Sequence, residues 1–217
     1  MGLYRVATVS NPFEEAKRKL RPAIERKDFH VFVFGPSLQI DQVLPKPVNP
    51  IATHGDVETH ARYLRLATRL ELQKLGYSVD YGESPDVLEF WQKNFLAPDP
   101  ATIEVNHAER VCGAIVVYPS SVGSICELGL FASRQWVCQK TLAIVHELYE
   151  NDPGFFRQGL LEYFEQEGGR HSFQNYFDHD LSVDKAVKFV NKCYNSLQNA
   201  KVMHEQTGNR LKLTING

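Results

Sequence analysis

Short apolar runs alternate with amphipathic segments along most of the chain. The runs that have the length and the β-branched or aromatic content of strands lie at 29–37, 77–83, 112–119, 140–147 and 171–177. The segments that repeat apolar residues at helical spacing lie at 56–76, 84–97, 99–111, 124–136, 152–168 and 182–200. Strands that alternate with helices predict a parallel sheet covered on both faces. We therefore expect an α/β fold, a three-layer Rossmann-like (flavodoxin-like) sandwich around a central sheet of four to five strands.

Capping residues set the expected helix boundaries. Asp56, Ser84, Asp99 and Ser182 have the short polar side chains that favour an N-cap. Gly76 stands where a C-cap glycine belongs. No internal repeat and no interdomain linker is apparent. The sequence thus predicts an N-terminal helical extension over 1–28, a single Rossmann-like domain over 29–200, and a polar, loosely held C-terminal tail over 201–217.

Composition narrows the class of protein. The 217 residues are 43% hydrophobic and 23% charged, with a formal net charge of -2. These values fit a globular protein with a real core and give no field that would attract nucleic acid or a membrane surface. No apolar run approaches the roughly 18 residues of a transmembrane helix, and the N-terminus lacks a signal-peptide pattern. We expect no membrane association and no direct nucleic-acid binding.

The cysteines and histidines point to a reduced interior without a metal. The four cysteines form no CxxC pair, and Cys112, Cys126 and Cys138 lie in apolar contexts that predict small buried side chains. A reduced, cytoplasmic protein is expected. The eight histidines show no metal-ligand spacing, so we expect no metal and no cofactor.

The stretch "YPSSVGSICELGLFAS" at 118–133 follows the apolar strand "CGAIVVY" and admits two interpretations. In the first, Ser124-x-x-Glu127 is a capping box and Glu127 only helps to start a helix. In the second, the loop lies at the carboxyl edge of a central strand, where ligands bind in open parallel sheets. The two interpretations do not exclude each other before a ligand binds.

The second interpretation makes this loop a substrate site. Backbone N–H groups of Pro119–Gly123 (those after the proline) and the helix N-terminus would hold phosphate, and the hydroxyls of Ser120, Ser121 and Ser124 would add donors. Glu127, one turn further on, would face the same pocket. A carboxylate there can attack or stabilise the oxocarbenium-like carbon of a ribose whose base departs.

Other candidates follow the remaining strands. Gly35, Pro36 and Ser37 end the first strand, either against substrate or as an ordinary turn. Glu83 follows the second strand, where a carboxylate can bind ribose hydroxyls. Three further polar residues near the strand ends contact ligand or have ordinary structural roles: His54, His146 and Glu147. Three arginines recur along one helix, where they form a phosphate site or a solvated stripe: Arg62, Arg65 and Arg69.

Two motifs resemble known families. "FVFGPS" at 32–37 resembles the first-strand ending of nucleoside 2-deoxyribosyltransferases, and "AIVVYPSSVGSICELGLFAS" resembles their strand, Gly-containing loop and Glu-Leu-Gly helix. The closer resemblance is to the deoxyribosyltransferase-like effectors of retron anti-phage systems, with their Pro-x-Ser-x-Gly-Ser-x-x-Glu-Leu-Gly-x-Phe pattern. The residues in register are Pro119, Ser121, Gly123, Ser124, Glu127, Leu128, Gly129 and Phe131. TIR-type NAD hydrolases share the broader logic of a glutamate on the helix after a central strand.

The resemblance implies an N-glycosidase, hydrolase or transferase, acting on a nucleotide, a nucleoside or NAD, with Glu127 as the catalytic glutamate. The loop "PSSVGS" lacks the aspartate that deoxyribosyltransferases usually carry, which favours hydrolysis of a phosphorylated or dinucleotide substrate. The resemblance also implies a homo-oligomer, since related enzymes complete their sites across subunits, and it leaves room for an inhibitory or regulatory partner. The alternatives are a non-catalytic nucleotide-sensing module and a structural subunit.

Overall fold

A parallel sheet forms the centre of the molecule. The computed structural model describes residues 24–38, 43–82, 84–94 and 99–215, with the side chains of 94 and 204–215 excepted. Within this part of the chain the strands are β1 (His30–Phe34), β2 (Ser78–Asp80), β3 (Cys112–Val117), β4 (Thr141–His146) and β5 (Arg170–Gln174). All neighbours are parallel, in the order β2-β1-β3-β4-β5. This is the flavodoxin-like order of a doubly wound sandwich, and it confirms the expected fold class.

Helices cover both faces of the sheet. They are α1 (His54–Lys74), α2 (Pro85–Asn94), α3 (Pro100–Arg110), α4 (Val122–Ala132), α5 (Gln135–Cys138), α6 (Glu162–Gln166) and α7 (His179–Ile215). A π-helical segment, Phe156–Leu161, leads into α6, and short 3₁₀ turns occupy Arg26–Asp28 and Glu147–Tyr149. Most of the predicted N-terminal helical extension lies outside the described residues.

Two apolar clusters explain why the strands are continuous hydrophobic runs. Alternate residues such as Val31 and Val33 pack with α1 and α7, whereas Phe32 and Phe34 pack with α3, α4, α5 and α6. Because both faces of β1, β3 and β4 are covered, almost every position in these strands is buried. The alternation in β1 thus separates two cores and does not separate a core from solvent.

The structure confirms two of the predicted helix caps and corrects a third. Gly76 has φ +88° just after α1, and Asp99 accepts the N–H of Thr102, so these two caps are confirmed. The N-cap of α1 is Thr53, and Asp56 is its capping-box partner, so Asp56 as the N-cap was wrong.

The last helix starts earlier and ends later than predicted. The carboxylate of Asp178 accepts the N–H of Leu181, and Ser182 is fully buried inside α7, so Ser182 is not a cap. Beginning at 179 also places His179 against His60 of α1. The helix continues past residue 200 to Ile215, where a loose tail was predicted, because no proline interrupts the segment.

The cysteine prediction holds in part. Cys112 and Cys138 are buried, and burial raises the pKa of the Cys138 thiol to about 11, so it stays protonated. Cys126 is exposed, contrary to prediction, because α4 is apolar on its outer face as well as its inner face. None of the helices in the described part of the chain combines the length and the apolar character needed to cross a bilayer.

Candidate functional site

The strand order reverses between β1 and β3, so the loops that follow these two strands lie at the switch point where open parallel sheets bind ligands. The loops lie close together. The N–H of Tyr118 donates to the carbonyl of Phe34 over 3.0 Å. A Cβ at Gly35 would lie 3.1 Å from the Tyr118 carbonyl oxygen, so any larger residue would push the loops apart. The predicted residues Gly35 and Pro36 are buried here, while Ser37 is exposed.

Arg65 anchors the first of these loops from below. Its guanidinium donates to the carbonyls of Val33 (3.2 Å), Gly35 (3.3 Å) and Pro36 (2.9 Å), and only 1% of the residue is exposed. The sequence predicted that Arg62, Arg65 and Arg69 form either a phosphate site or a solvated stripe. For Arg65 the solvated alternative was wrong.

A signal for this role was present in the sequence. Arg65 occupies the helical face shared by Ala61, Leu64, Thr68 and Leu72, which are among the buried positions of α1. A guanidinium on such a face must find acceptors inside the protein, and the carbonyls of the β1 loop provide them.

Tyr118 fixes the second loop to the same helix. Its hydroxyl lies 2.6 Å from the Thr68 hydroxyl, and both side chains are buried. Burial raises the pKa of Tyr118 far above its ordinary value, so the phenol remains neutral and can hydrogen bond. α1 therefore holds both loops through neighbouring residues of one face.

The cap of α4 tests the first of the two interpretations of Glu127. Ser121 is the N-cap and accepts the N–H of Ser124, and the Ser124 hydroxyl accepts the N–H groups of Ser121 (3.0 Å) and Ser120 (3.1 Å). The predicted Ser124–Glu127 capping box is wrong. The overlapping motif Ser121-x-x-Ser124 starts the helix three residues earlier, so Glu127 lies beyond the cap.

Glu127 lies on the flank of α4 that faces α3. Leu128 and Phe131 pack on the sheet, and Gly129 lies beside Leu160 on one flank. At 100° per residue, Glu127 falls on the other flank, with Leu130 one turn further along.

Leu130 lines a groove of about 210 Å³ between α3 and α4. Glu127 is half-buried at the end of this flank nearest the sheet edge, and its Oε2 atom is buried.

The start of α4 is open and uncharged. A Cβ at Gly123 would meet no atom within 4 Å, and no acidic residue occupies the first turn. The predicted phosphate donors therefore divide into two groups. In the first group, the amides of Ser120 and Ser121 already donate to the buried Ser124 hydroxyl. The second group is Gly123, which faces open space. Pro119 is buried.

The end of β4 adds polar groups to the same edge. His146 is 3% exposed, and its Nδ1 accepts the N–H of Leu148 at 3.1 Å. Burial, with a smaller contribution from His60, lowers the pKa of His146 to about 4. Glu147 accepts from the Asn175 amide at 2.8 Å.

The turn after β4 also reaches the start of α1. Tyr149 places its hydroxyl 3.1 Å from Nδ1 of His54, so the two predicted residues His54 and His146 lie on segments that this contact joins. Glu83 lies outside the described residues. Arg62 pairs with Glu58 at 2.7 Å on the surface.

One group of potential metal ligands lies deeper, near β2. Atoms of Asp80, His107 and Cys112 lie within 4.8 Å of one another. Trp91 donates to Nδ1 of His107 at 3.2 Å, so the His107 proton is on Nε2 and points to Asp80 at 3.0 Å. Both ring nitrogens are thus engaged, which fits a hydrogen-bond network and does not fit a metal site.

The same network includes His30, 2.8 Å from Asp80. Burial tends to raise the pKa of Asp80, but the hydrogen bonds from His107 and His30 outweigh it and lower that pKa to about 2. Burial also raises the pKa of the Cys112 thiol strongly, so this thiol is protonated in the network.

The family of the chain follows from its second half. A family model described as STM3845 retron effector protein matches residues 85–216, which is more than half of the chain. The chain belongs to this retron effector family. The match includes the cap of α4, Glu127 and β4, whereas β1, Gly35 and Arg65 of this effector precede it. No curated protein matches the sequence.

Proposed function

We propose that this retron effector is an N-glycosidase, a hydrolase or transferase that cleaves the base–ribose bond of a nucleotide, a nucleoside or NAD, and that it serves anti-phage defence. The observation that carries the proposal is the position of Glu127. The residue is half-buried, lies just beyond a cap that does not use it, and belongs to the helix that follows β3, next to the point where the strand order reverses.

The chemistry requires a carboxylate held beside the sugar. As the C1′–N bond breaks, its electron pair leaves with the base and positive charge develops on C1′ and the ring oxygen. The Glu127 carboxylate stabilises that charge or forms a glycosyl ester. Water or an acceptor hydroxyl then supplies the new C1′–O bond and releases a proton. Substrate phosphate binds at the open first turn of α4, where Gly123 leaves space.

The surroundings of Glu127 favour an anionic substrate. The first turn of α4 contains no acid, and its cap consists of serine hydroxyls, so the partial positive charge of the helix start is not neutralised. A nucleotide or a dinucleotide such as NAD carries the negative charge that this end of the helix attracts. An uncharged nucleoside would gain less from it.

Turnover of candidate substrates tests the proposal. The full chain is incubated with NAD, nucleotides and deoxynucleosides, and released base is measured by chromatography. We expect release from at least one anionic substrate and a loss of at least about a hundredfold in Glu127→Gln. The control is Glu109→Gln, an exposed carboxylate at the end of α3, which should keep wild-type activity.

Two outcomes would contradict the catalytic role. Release that persists in Glu127→Gln assigns the chemistry to another group. Tight nucleotide binding with no release in the wild type would instead support a non-catalytic sensing module.

Self-association is part of the same proposal. The outer face of α4 presents Val122, Cys126 and Leu130 at four-residue spacing, and Val122 is 81% exposed. An uncharged apolar stripe beside the site suits a second copy of the chain, which would complete the site. Light scattering coupled to gel filtration should show a multimer that Val122→Glu dissociates; a monomeric wild type would contradict this part.

A further inference from the structure

His146 is a buried side chain at the sheet edge that the proposed chemistry does not use. It is the last residue of β4 and is 3% exposed. The parallel register pairs Val117 of β3 with Ala143 of β4, so the loop that leads into α4 and the end of β4 reach the same edge. His146 therefore lies at the carboxyl edge where such sheets bind ligands.

Its hydrogen bonding fixes which nitrogen carries the proton. The N–H of Leu148 donates to Nδ1 at 3.1 Å, so the ring proton is on Nε2. Burial and the nearby His60 keep the ring neutral at physiological pH. Nε2 is buried and has no hydrogen-bond partner among the described residues. The ring packs edge-to-face on Tyr176, with centroids 5.0 Å apart.

Buried donors without a partner are rare in folded proteins and lower stability. The neighbouring His60 shows the ordinary solution, since its ring nitrogens bond His179 (3.0 Å) and the carbonyl of Asn49 (3.0 Å). A donor kept without such a partner, at an edge that binds ligands, suits an acceptor that arrives with the ligand.

We propose that His146 is a binding residue of the nucleotide site, whose Nε2–H donates to an uncharged oxygen or nitrogen acceptor of the base or the ribose. This inference rests on the proposed function, because that function supplies the nucleotide. A neutral donor matches an uncharged acceptor, whereas phosphate belongs at the start of α4, where the helix end is partly positive.

Histidine nitrogen NMR tests this directly. The probes are AMP and ribose 5-phosphate, added to ¹⁵N-labelled full-length Glu127→Gln so that no turnover occurs. We expect the Nε2 signal of His146 to shift with AMP while that of His171 stays constant. His171 is the matched control because it lies on the adjacent β5 and burial lowers its pKa too. A shift with ribose 5-phosphate places the acceptor on the ribose; a shift with AMP alone places it on the base.

The outcomes separate this inference from the proposed function. An unmoved His146 signal, at AMP concentrations that shift the Gly123 amide, overturns the inference and leaves the glycosidase proposal intact. A shifted His146 signal in a protein that releases no base from any substrate supports the binding role and removes the catalytic one. If neither signal moves with either probe, the inference is overturned, and the glycosidase proposal is decided by the turnover assay.

Two substitutions provide an independent readout. In His146→Asn the shorter amide can still accept from Leu148 but cannot extend a donor to the position of Nε2. In His146→Gln the longer side chain can place its amide donor at the position of Nε2. We expect His146→Asn to weaken AMP binding about three- to tenfold by calorimetry, and His146→Gln to weaken it less. Equal affinities for wild type, both variants and the His171→Gln control would overturn the inference.

Discussion

The starts of α1 and α4 solve the same problem with different chemistry. At α1, the Thr53 hydroxyl accepts the N–H of Asp56, and the Asp56 carboxylate accepts the N–H groups of Thr53 (2.8 Å) and Ala52 (3.1 Å). At α4, Ser121 and Ser124 form the same reciprocal box with two hydroxyls. Both boxes satisfy orphan backbone donors, but only the first uses a carboxylate to do so.

The difference assigns separate tasks to the two helices. α1 uses its polar residues for structure: Asp56 in the cap, Arg65 and Thr68 beneath the loops. α4 caps itself with hydroxyls, so Glu127 is not needed to begin the helix. A half-buried carboxylate that the helix cap does not use, near the edge at which open parallel sheets bind ligands, is the arrangement expected of a functional group.

The largest expected contrast comes from neutralising one carboxylate on each helix. Glu127→Gln should abolish base release while the melting temperature stays the same or rises, since functional carboxylates commonly cost stability. Asp56→Asn should do the reverse, with a lower melting temperature and activity close to wild type. Paired activity assays and thermal melts measure both. If Asp56→Asn lost activity without losing stability, the division of tasks would be wrong.

The structural role of α1 predicts a large stability effect at Arg65. Arg65→Met leaves the carbonyls of Val33, Gly35 and Pro36 buried without their donor, so we expect a loss of about 3 kcal/mol in the free energy of unfolding. Arg62→Met on the exposed face of the same helix should change it by less than about 0.5 kcal/mol. Urea denaturation of both variants checks this; equal effects would contradict the anchoring role of Arg65.

The two caps themselves should be of similar strength. Ser124→Ala removes the acceptor for Ser120 and Ser121 and should cost about 1 kcal/mol of unfolding free energy. Thr53→Ala should reduce stability by a comparable amount at α1. Because Ser124 also shapes the loop before α4, its variant should lose base release in addition, whereas Thr53→Ala should retain it. Similar base release by the two variants would show that Ser124 has no role in the site.

The smallest expected contrast is the response of the two helix caps to low pH. Hydrogen bonds from Thr53 and Ala52 lower the pKa of Asp56 below its ordinary value of 3.8. The stabilisation from this carboxylate is therefore complete above pH 3.8 and is lost as the pH falls through the lower, folded-state pKa. The α4 cap has no titrating group. Amide chemical shifts between pH 5 and pH 2.5 should move at Thr53 and stay constant at Ser121; parallel movement at both would contradict the assignment.

The sequence predicted the architecture well because both periodicities were strong. Continuous apolar runs indicated buried parallel strands, and helical spacing indicated the helices between them. It erred where two local signals compete. Ser124-x-x-Glu127 and Ser121-x-x-Ser124 are both capping patterns, and sequence spacing alone does not rank them. The same holds for Ser182 and Asp178, where packing of His179 on α1 accompanies the earlier start.

The candidate site could be predicted only as a set of segments. The loops after β1 and β3 were each predicted as candidate segments, and the structure brings them together, with Gly35 against Tyr118. The buried anchors that hold them, Arg65 and the Thr68–Tyr118 pair, went unrecognised because charged and hydroxyl side chains usually face solvent. The tautomer of His146 likewise depends on the N–H of Leu148, a local contact whose geometry no residue pattern encodes.

The sequence by itself determined the layers, the parallel strands and the edge at which chemistry is to be sought, because hydrophobic periodicity and strand–helix alternation are properties of consecutive residues. Tertiary structure alone decided which serine caps α4, which arginine of α1 turns inward, and which side of its helix Glu127 occupies. The inward arginine is selected by contacts between segments far apart in the chain, because a buried guanidinium needs acceptors. The α4 cap is selected by local hydrogen bonds whose geometry residue spacing alone does not encode.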